Sequence, residues 1–219
     1  MLTSQKHVFW QALIVTVLLF GAGIFMGIIL ENWRVNRVDY LYRQSEILLL
    51  DLRAHGEIAG STYIDCETSI AQNLVFADRV FSEAETLAKY EGAERLSGEL
   101  ELEHKKYDVL RALLWSRSIE LRKKCKADFH NVVYIYDYDE PTLEIVAKQG
   151  VFSRILSELK EKRGGDIVLI PMAGDNNLSS VSLMMELYNV SEEELPVILI
   201  DEGVKITELQ SSEEIEEFL

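Results

Sequence analysis

The stretch Leu195-Pro-Val-Ile-Leu-Ile-Asp-Glu-Gly-Val-Lys-Ile206 decides the fold of the C-terminal part of this chain. Four apolar residues, three of them β-branched, follow Pro196 and are typical of a buried strand. Asp-Glu-Gly then supplies the residue types of a turn. The composition therefore predicts two consecutive strands, at 196–200 and 204–209.

The residues around this stretch predict further strands that alternate with helices. Apolar, β-branched and aromatic residues fill 131–136 and 166–172, which we interpret as two earlier strands. Amphipathic helices are predicted after each of them, because polar capping residues precede helical spacing in both places. A last short helix at 211–219 opens with Ser and Glu at the spacing of a capping box. The order is βαβαββα in about 90 residues, and with the helices described below it gives an α+β fold class.

This order resembles the thioredoxin fold, and the resemblance covers residues 129–219. It implies that Pro196 is the cis-proline that opens the third strand of that family, preceded as usual by a bulky apolar residue. It also implies a groove at this end of the sheet, which the family uses to bind extended polypeptide. The groove residues that the resemblance implies are Glu140, Pro141, Thr142, Leu143, Leu195 and Pro196.

The chain departs from the family at the start of the first helix of that fold. Thioredoxin-like oxidoreductases carry Cys-x-x-Cys there, because the helix N-terminus stabilises a thiolate. Here residues 138–143 read YDEPTL, and no cysteine occurs anywhere in 129–219. Thiol–disulfide exchange at this site is excluded, since no thiolate is available. We therefore predict a protein without catalytic residues, cofactor or metal. The carboxylates of Asp137, Asp139 and Glu140 could coordinate a hard cation such as calcium, but we interpret Asp139 or Glu140 as the cap of the following helix.

An uncharged apolar run, VFWQALIVTVLLFGAGIFMGIIL at 8–30, predicts a single transmembrane helix. Its 23 residues rise about 34 Å as a helix, enough for a hydrocarbon core of about 30 Å. Trp10 and Trp33 flank the run as interfacial anchors. The predicted division of the chain is a tail at 1–7, this span at 8–30, a helical stalk at 31–127 and the thioredoxin-like domain at 128–219.

The stalk is predicted to fold back on itself as an antiparallel helical hairpin. Residues 31–127 contain no proline, and apolar residues recur at steps of three and four on both sides of a glycine-bearing break at 92–98. The midpoint between Cys66 and Cys125 falls inside this break, so the two cysteines are expected at equal heights. Because each also lies on the apolar stripe of its helix, we predict a Cys66–Cys125 disulfide. The alternative is a pair of buried free thiols in a reducing compartment.

Two signals disagree about the orientation of the chain in the membrane. Arg34, Arg37 and Arg43 follow the span, whereas Lys6 is the one Lys or Arg before it, which favours a cytoplasmic C-terminus. A disulfide favours the opposite side. We predict a single-pass protein of the cell membrane with its C-terminal domain outside the cytoplasm.

Three functional hypotheses follow, and charge excludes a fourth. A net charge of −15, with 20 acidic and 6 basic residues in 128–219, argues against a nucleic-acid partner. The first hypothesis is a redox-inactive binding or scaffolding module for an unidentified protein or peptide, held in the bilayer by 8–30. The second is a thiol–disulfide oxidoreductase that uses Cys66 and Cys125. The third is a structural subunit of a membrane complex assembled through the helical stalk. A homo-oligomer is a further option for the partner.

Overall fold

A computed structural model describes residues 3–61, 65–94 and 98–219. Within these ranges the chain is a mixed α+β protein with six α-helices and one four-stranded sheet. Two units are distinguished, one up to Ile47 and the other formed by Leu48–Leu219. The centre of the predicted break, residues 95–97, and the first two residues of the predicted tail lie outside the described residues.

Helix α1 begins at Thr3 and ends at Ser61, so one helix contains both the apolar run and the residues that follow it. Its segment Val8–Trp33 has a mean hydropathy of 2.7 and is long and apolar enough to cross a membrane. None of the most apolar window of this segment is buried. A helix of this length with an exposed apolar surface is able to span the hydrocarbon core of a bilayer.

The remaining elements follow in the order that the sequence predicts. The helices are α2 (Cys66–Glu94), α3 (Gly98–Cys125), α4 (Leu143–Arg163), α5 (Ser179–Leu187) and α6 (Ser212–Glu216). The strands are β1 (His130–Tyr136), β2 (Ile167–Ala173), β3 (Val197–Ile200) and β4 (Val204–Ile206). Ser211 and Glu214 form the predicted capping box of α6.

The sheet has the order β2-β1-β3-β4. Strand β1 pairs with β2 in parallel and with β3 in antiparallel, and β3 pairs with β4 in antiparallel. Strand β4 ends at Ile206, opposite Ile198, although the sequence predicts a strand to residue 209. The reason is that Glu208 would face Pro196, which has no N–H to continue the ladder. The bond between Leu195 and Pro196 is cis, as expected.

Each face of the sheet is covered by helices. Phe152, Leu156 and Leu159 of α4 pack with Ile215 of α6 against one face, which includes Val132 and Ile198 and their neighbours. The other face packs against α2, α3 and α5; its core residues include Ala77, Leu114, Trp115, Val133, Ile135, Met184 and Leu199. Helices α2 and α3 therefore share one hydrophobic core with the sheet.

Helices α2 and α3 contact each other, and both also contact β2, which is an edge strand. The predicted disulfide between Cys66 and Cys125 is present, with the Cα atoms 5.5 Å apart. Asn73 donates a hydrogen bond to Ser118 across the same pair of helices, with a distance of 3.0 Å. The free edge of β2, where no further strand pairs, is therefore covered by α2 and α3.

The turn between β3 and β4 is tied to α3. Asp201 and Glu202 have φ of 50° and 61°, a conformation that non-glycine residues rarely adopt. Polar contacts hold them there: Trp115 Nε1 and Asn131 Nδ2 each donate to Glu202 Oε1 at 2.9 Å, and Arg122 contacts Asp201 at 2.6 Å. The strained turn is therefore stabilised from a helix far away in the sequence.

Candidate functional site

The predicted groove lies where β1 and β2 end. Ile135 pairs with Val197, so the register brings Pro196 beside Tyr136, the last residue of β1. The chain leaves this point and enters α4, whose first residue is Leu143. Leu195 and Pro196 are buried, whereas Leu143 is 90% exposed. The groove assignment itself stays a prediction.

Thr142 is the N-cap of α4, so the prediction that Asp139 or Glu140 caps this helix is wrong, because the helix begins only at Leu143. The side-chain oxygen of Thr142 accepts a hydrogen bond from Ile145 N at 3.3 Å. Pro141 precedes it and is half-buried, and Glu140 is exposed. This capped helix N-terminus presents an exposed leucine and therefore offers an apolar contact.

Gly174 allows the close packing that holds Leu195 in place. It follows β2, and its N–H donates to Tyr136 O. A Cβ atom at this position would lie 2.8 Å from Leu195 Cδ1 and 2.9 Å from Ile135 Cγ2. These distances are shorter than van der Waals contact, so a larger residue must displace both side chains.

Gly174→Ala is expected to lower the free energy of unfolding by about 1–3 kcal/mol, because the added methyl group overpacks the site. Gly150→Ala is the matched control. Gly150 lies in α4 with open space around its Cα, so alanine there should stabilise the helix by about 0.5–1 kcal/mol. Chemical unfolding of both variants measures the difference. Equal stability of the two variants would contradict the tight contact at Gly174.

Four carboxylates stand near this end of the sheet. Both oxygens of the Asp175 carboxylate accept a hydrogen bond from Tyr138 N, and one also accepts from Asp139 N. Burial, a hydrogen bond to Asp175 and the nearby charges of Asp175, Asp139 and Glu192 raise the pKa of Asp137 to about 6. Among the described residues no group of three or more His, Cys, Asp or Glu side chains is arranged to hold a metal ion.

The raised pKa of Asp137 predicts a fall in stability between about pH 4 and pH 6. In this range the folded chain binds more protons than the unfolded chain, so the free energy of unfolding decreases as pH rises. Asp137→Asn retains a donor for Asp175 and should remove this loss, which we expect to be about 1 kcal/mol after solvent screening. Urea unfolding at both ends of the range measures it. Asp128→Asn, at an exposed position, should keep the wild-type pH profile; if Asp137→Asn keeps it as well, the assignment is wrong.

Beside this acidic group lies a buried polar network centred on Asp108 of α3, which is fully buried. Arg111 Nη1 donates to Asp108 Oδ1 at 2.8 Å, and Ala173 N, on the outer side of β2, donates to the same oxygen at 3.3 Å. Asn176 donates to Oδ2. His104 Nδ1 lies 2.9 Å from Oδ2, although not in hydrogen-bond alignment. Asp108 therefore fastens α3 to the end of β2.

The network extends to Tyr136, the last residue of β1, and to Tyr138 beyond it. His104 Nε2 forms a 2.9 Å hydrogen bond with the Tyr136 hydroxyl, and its ring stacks on Tyr138 with 3.8 Å between centroids. Arg111 is also buried; although burial opposes its charge, Asp108 and Tyr136 raise its pKa. A carboxylate, a guanidinium and an imidazole thus meet beside the predicted groove.

No family model, curated protein or solved structure matches this chain.

The sequence reasoning missed this network, although a signal was present. His104, Asp108 and Arg111 recur at steps of four and three, beside the apolar positions 107, 110 and 114 of α3. Such polar residues next to an apolar stripe are ordinarily read as surface ion pairs. These residues are buried because α3 contacts β2. That contact joins residues far apart in the sequence, so a local pattern does not predict it.

Proposed function

We propose that this chain is a membrane-anchored, redox-inactive protein of thioredoxin-like fold whose head binds extended polypeptide. The observation that supports the proposal is the sheet, because its order β2-β1-β3-β4, with one parallel and two antiparallel pairs, agrees with the arrangement expected of a thioredoxin fold. Helices α4 and α6 on one face and α5 on the other support the same assignment. Because residues 129–219 contain no cysteine, the head lacks the thiol–disulfide chemistry of the family. We propose that it keeps the polypeptide-binding surface.

The anchor is Val8–Trp33, which we propose crosses the bilayer once. We propose that the head lies outside the cytoplasm, because a disulfide persists in oxidising compartments. The arginines after the span favour the opposite orientation. We give more weight to the disulfide, because it joins two residues that the fold brings together. Protease treatment of intact cells tests it: an extracytoplasmic head is digested, and a protected head reverses the orientation.

Helices α2 and α3 are proposed to form an antiparallel hairpin that packs on the head. The Cys66–Cys125 disulfide and the Asn73–Ser118 hydrogen bond support it, since both pairs have their midpoint between residues 95 and 96. Contacts that share one midpoint are what two antiparallel helices produce.

Leu143 is the proposed contact for the bound polypeptide. Leucine is usually sheltered from water in a folded domain, so the 90% exposure of Leu143 at the start of α4 supports an apolar contact at the position where the thioredoxin family presents its active site. Extended segments dock through side-chain pockets as well as through the backbone. An apolar contact at this point suits an unfolded or extended segment.

Fluorescence anisotropy with a labelled, permanently unfolded protein, such as carboxymethylated lactalbumin, tests the proposal. The full chain in lipid nanodiscs should bind it, and Leu143→Glu should weaken binding about tenfold, a change of about 1.4 kcal/mol. Val151→Glu is the control, because Val151 is an exposed apolar residue two turns further along the same helix. Equal binding by both variants would remove Leu143 from the site, and no binding by the wild type would overturn the proposal.

The competing function is a thiol–disulfide oxidoreductase. One observation favours it: Cys66 is exposed and is the first residue of α2, where a helix N-terminus stabilises a thiolate. An insulin-reduction assay separates the two functions. We expect no turnover by the full chain; turnover that disappears in Cys66→Ser would establish the enzyme instead.

A further inference from the structure

The start of α4 presents an exposed apolar surface. Leu143, Val146 and Ala147 are all exposed, Leu143 to 90%. Residues three and four positions apart are neighbours on a helix, so these side chains form one surface, which we call the α4 surface. Exposed apolar side chains that adjoin one another indicate a contact with a partner. A partner that covers the α4 surface therefore has an apolar group of its own.

Exposed carboxylates adjoin the α4 surface. Asp139 and Glu140 precede it in the sequence, and Glu144 follows Leu143 directly. Glu192 stands near them, because its charge and that of Asp139 are among the causes, after burial, that raise the pKa of Asp137. In the part of the chain that the structure describes, the side-chain oxygens of Asp139, Glu140, Glu144 and Glu192 accept no hydrogen bond and form no ion pair. The fold leaves these four carboxylates open to a partner.

The chain supplies little positive charge to balance these carboxylates. Residues 137–150 contain one basic residue, Lys148, and its Nζ lies over the ring of Phe152 at 5.8 Å from the ring centroid. The helix does not need the carboxylates as a cap, because Thr142 already provides it. Complementary charge on a partner lowers the repulsion among them and selects that partner over a neutral or acidic one. The charge of this surface therefore favours a cationic partner.

We propose that the polypeptide segment bound at Leu143 is basic, with lysine or arginine beside an apolar residue. The apolar residue packs on Leu143 and Val146, and the neighbouring cations pair with Asp139, Glu140 and Glu144. This inference rests on the proposed function, because it names the class of polypeptide that the same site binds. The ion pairs form at exposed carboxylates, so added salt weakens them.

The test is fluorescence anisotropy with three labelled peptides that share one pattern of apolar residues and differ at the flanking positions, which are all Lys, all Gln or all Glu. The full chain is held in nanodiscs of phosphatidylcholine, whose headgroup has no net charge, and empty nanodiscs give the background. At low ionic strength the Lys peptide should bind about tenfold tighter than the Gln peptide, and added salt should reduce this preference. Equal binding of these two peptides overturns the inference and leaves the proposed function standing. No binding of any peptide overturns both.

A pair of double variants separates the local carboxylates from the overall charge of the chain. Glu140→Gln/Glu144→Gln should lower the preference for the Lys peptide over the Gln peptide about threefold. Glu213→Gln/Glu217→Gln changes the net charge equally at exposed positions, and it lies away from Leu143, because Lys162 near the C-terminal end of α4 contacts α6. This control should keep the wild-type preference. An equal loss of preference in both variants assigns the attraction to the overall charge and overturns the inference.

Discussion

Asp108→Ala is expected to lower the free energy of unfolding of the unit Leu48–Leu219 by about 3–5 kcal/mol. The side chain is fully buried and receives hydrogen bonds from Arg111, Ala173 and Asn176. Its removal leaves the buried guanidinium of Arg111 without its counter-charge, and it leaves the outward N–H of β2 without an acceptor. The variant should therefore lose more than a typical core truncation of its size.

The measurement is urea unfolding followed by the fluorescence of Trp115. The chain has three tryptophans, so a Trp10→Phe/Trp33→Phe background leaves Trp115 as the reporter. Asp166→Ala is the control, because Asp166 is 69% exposed and stands 3.8 Å from Arg163; it should change stability by less than about 0.5 kcal/mol. Adding Arg111→Met to Asp108→Ala should recover part of the loss. If Asp108→Ala costs no more than Asp166→Ala, the network does not hold α3 to the sheet.

Removal of the disulfide is the second large effect. Cys66→Ser/Cys125→Ser is expected to cost about 4 kcal/mol, since the bond closes a loop of 59 residues in the unfolded chain. The loss of stability should be larger than that caused by an ordinary surface substitution, because the disulfide joins the first residue of α2 to the last residue of α3.

Reduction of the wild type provides the matched comparison. Dithiothreitol should lower the stability of the wild type to that of the double serine variant, and it should leave the variant unchanged. Peptide mapping without reduction, on protein from native membranes with thiols blocked at lysis, should recover the two cysteines in one linked peptide. Two alkylated cysteines in the main population would refute the bond and remove the main support for an extracytoplasmic head.

The strands and their order along the chain were predictable, because the local composition of each segment indicates a strand or a helix. Residues 131–136 and 197–200 are rich in β-branched or aromatic side chains, and both ranges lie in strands of the sheet. The disulfide was predictable for a different reason, since the glycine-bearing break and the two cysteine positions fix one register. The end of β4 was not, because it depends on Pro196 in the neighbouring strand.

The role of α3 was beyond the sequence pattern. Tyr107, Asp108, Leu110, Arg111 and Trp115 are all buried, so this helix has protein on more than one side. A helix that packs between two layers is buried on more than one side. Its apolar periodicity therefore indicates only one of its two contact surfaces. The polar network arises from the contact of α3 with β2, which the pattern does not reveal.

The cover over β2 has a consequence for how copies of this chain behave together. An open strand edge invites pairing with the same edge of another molecule, which is a common first step of aggregation. Helices α2 and α3 contact β2, and Asp108 occupies the outward N–H of Ala173, while the other edge, β4, is three residues long. If an anchor confines many heads to the plane of a bilayer, they meet far more often than free molecules do. The shielded and shortened edges would allow such crowding without strand exchange between neighbours.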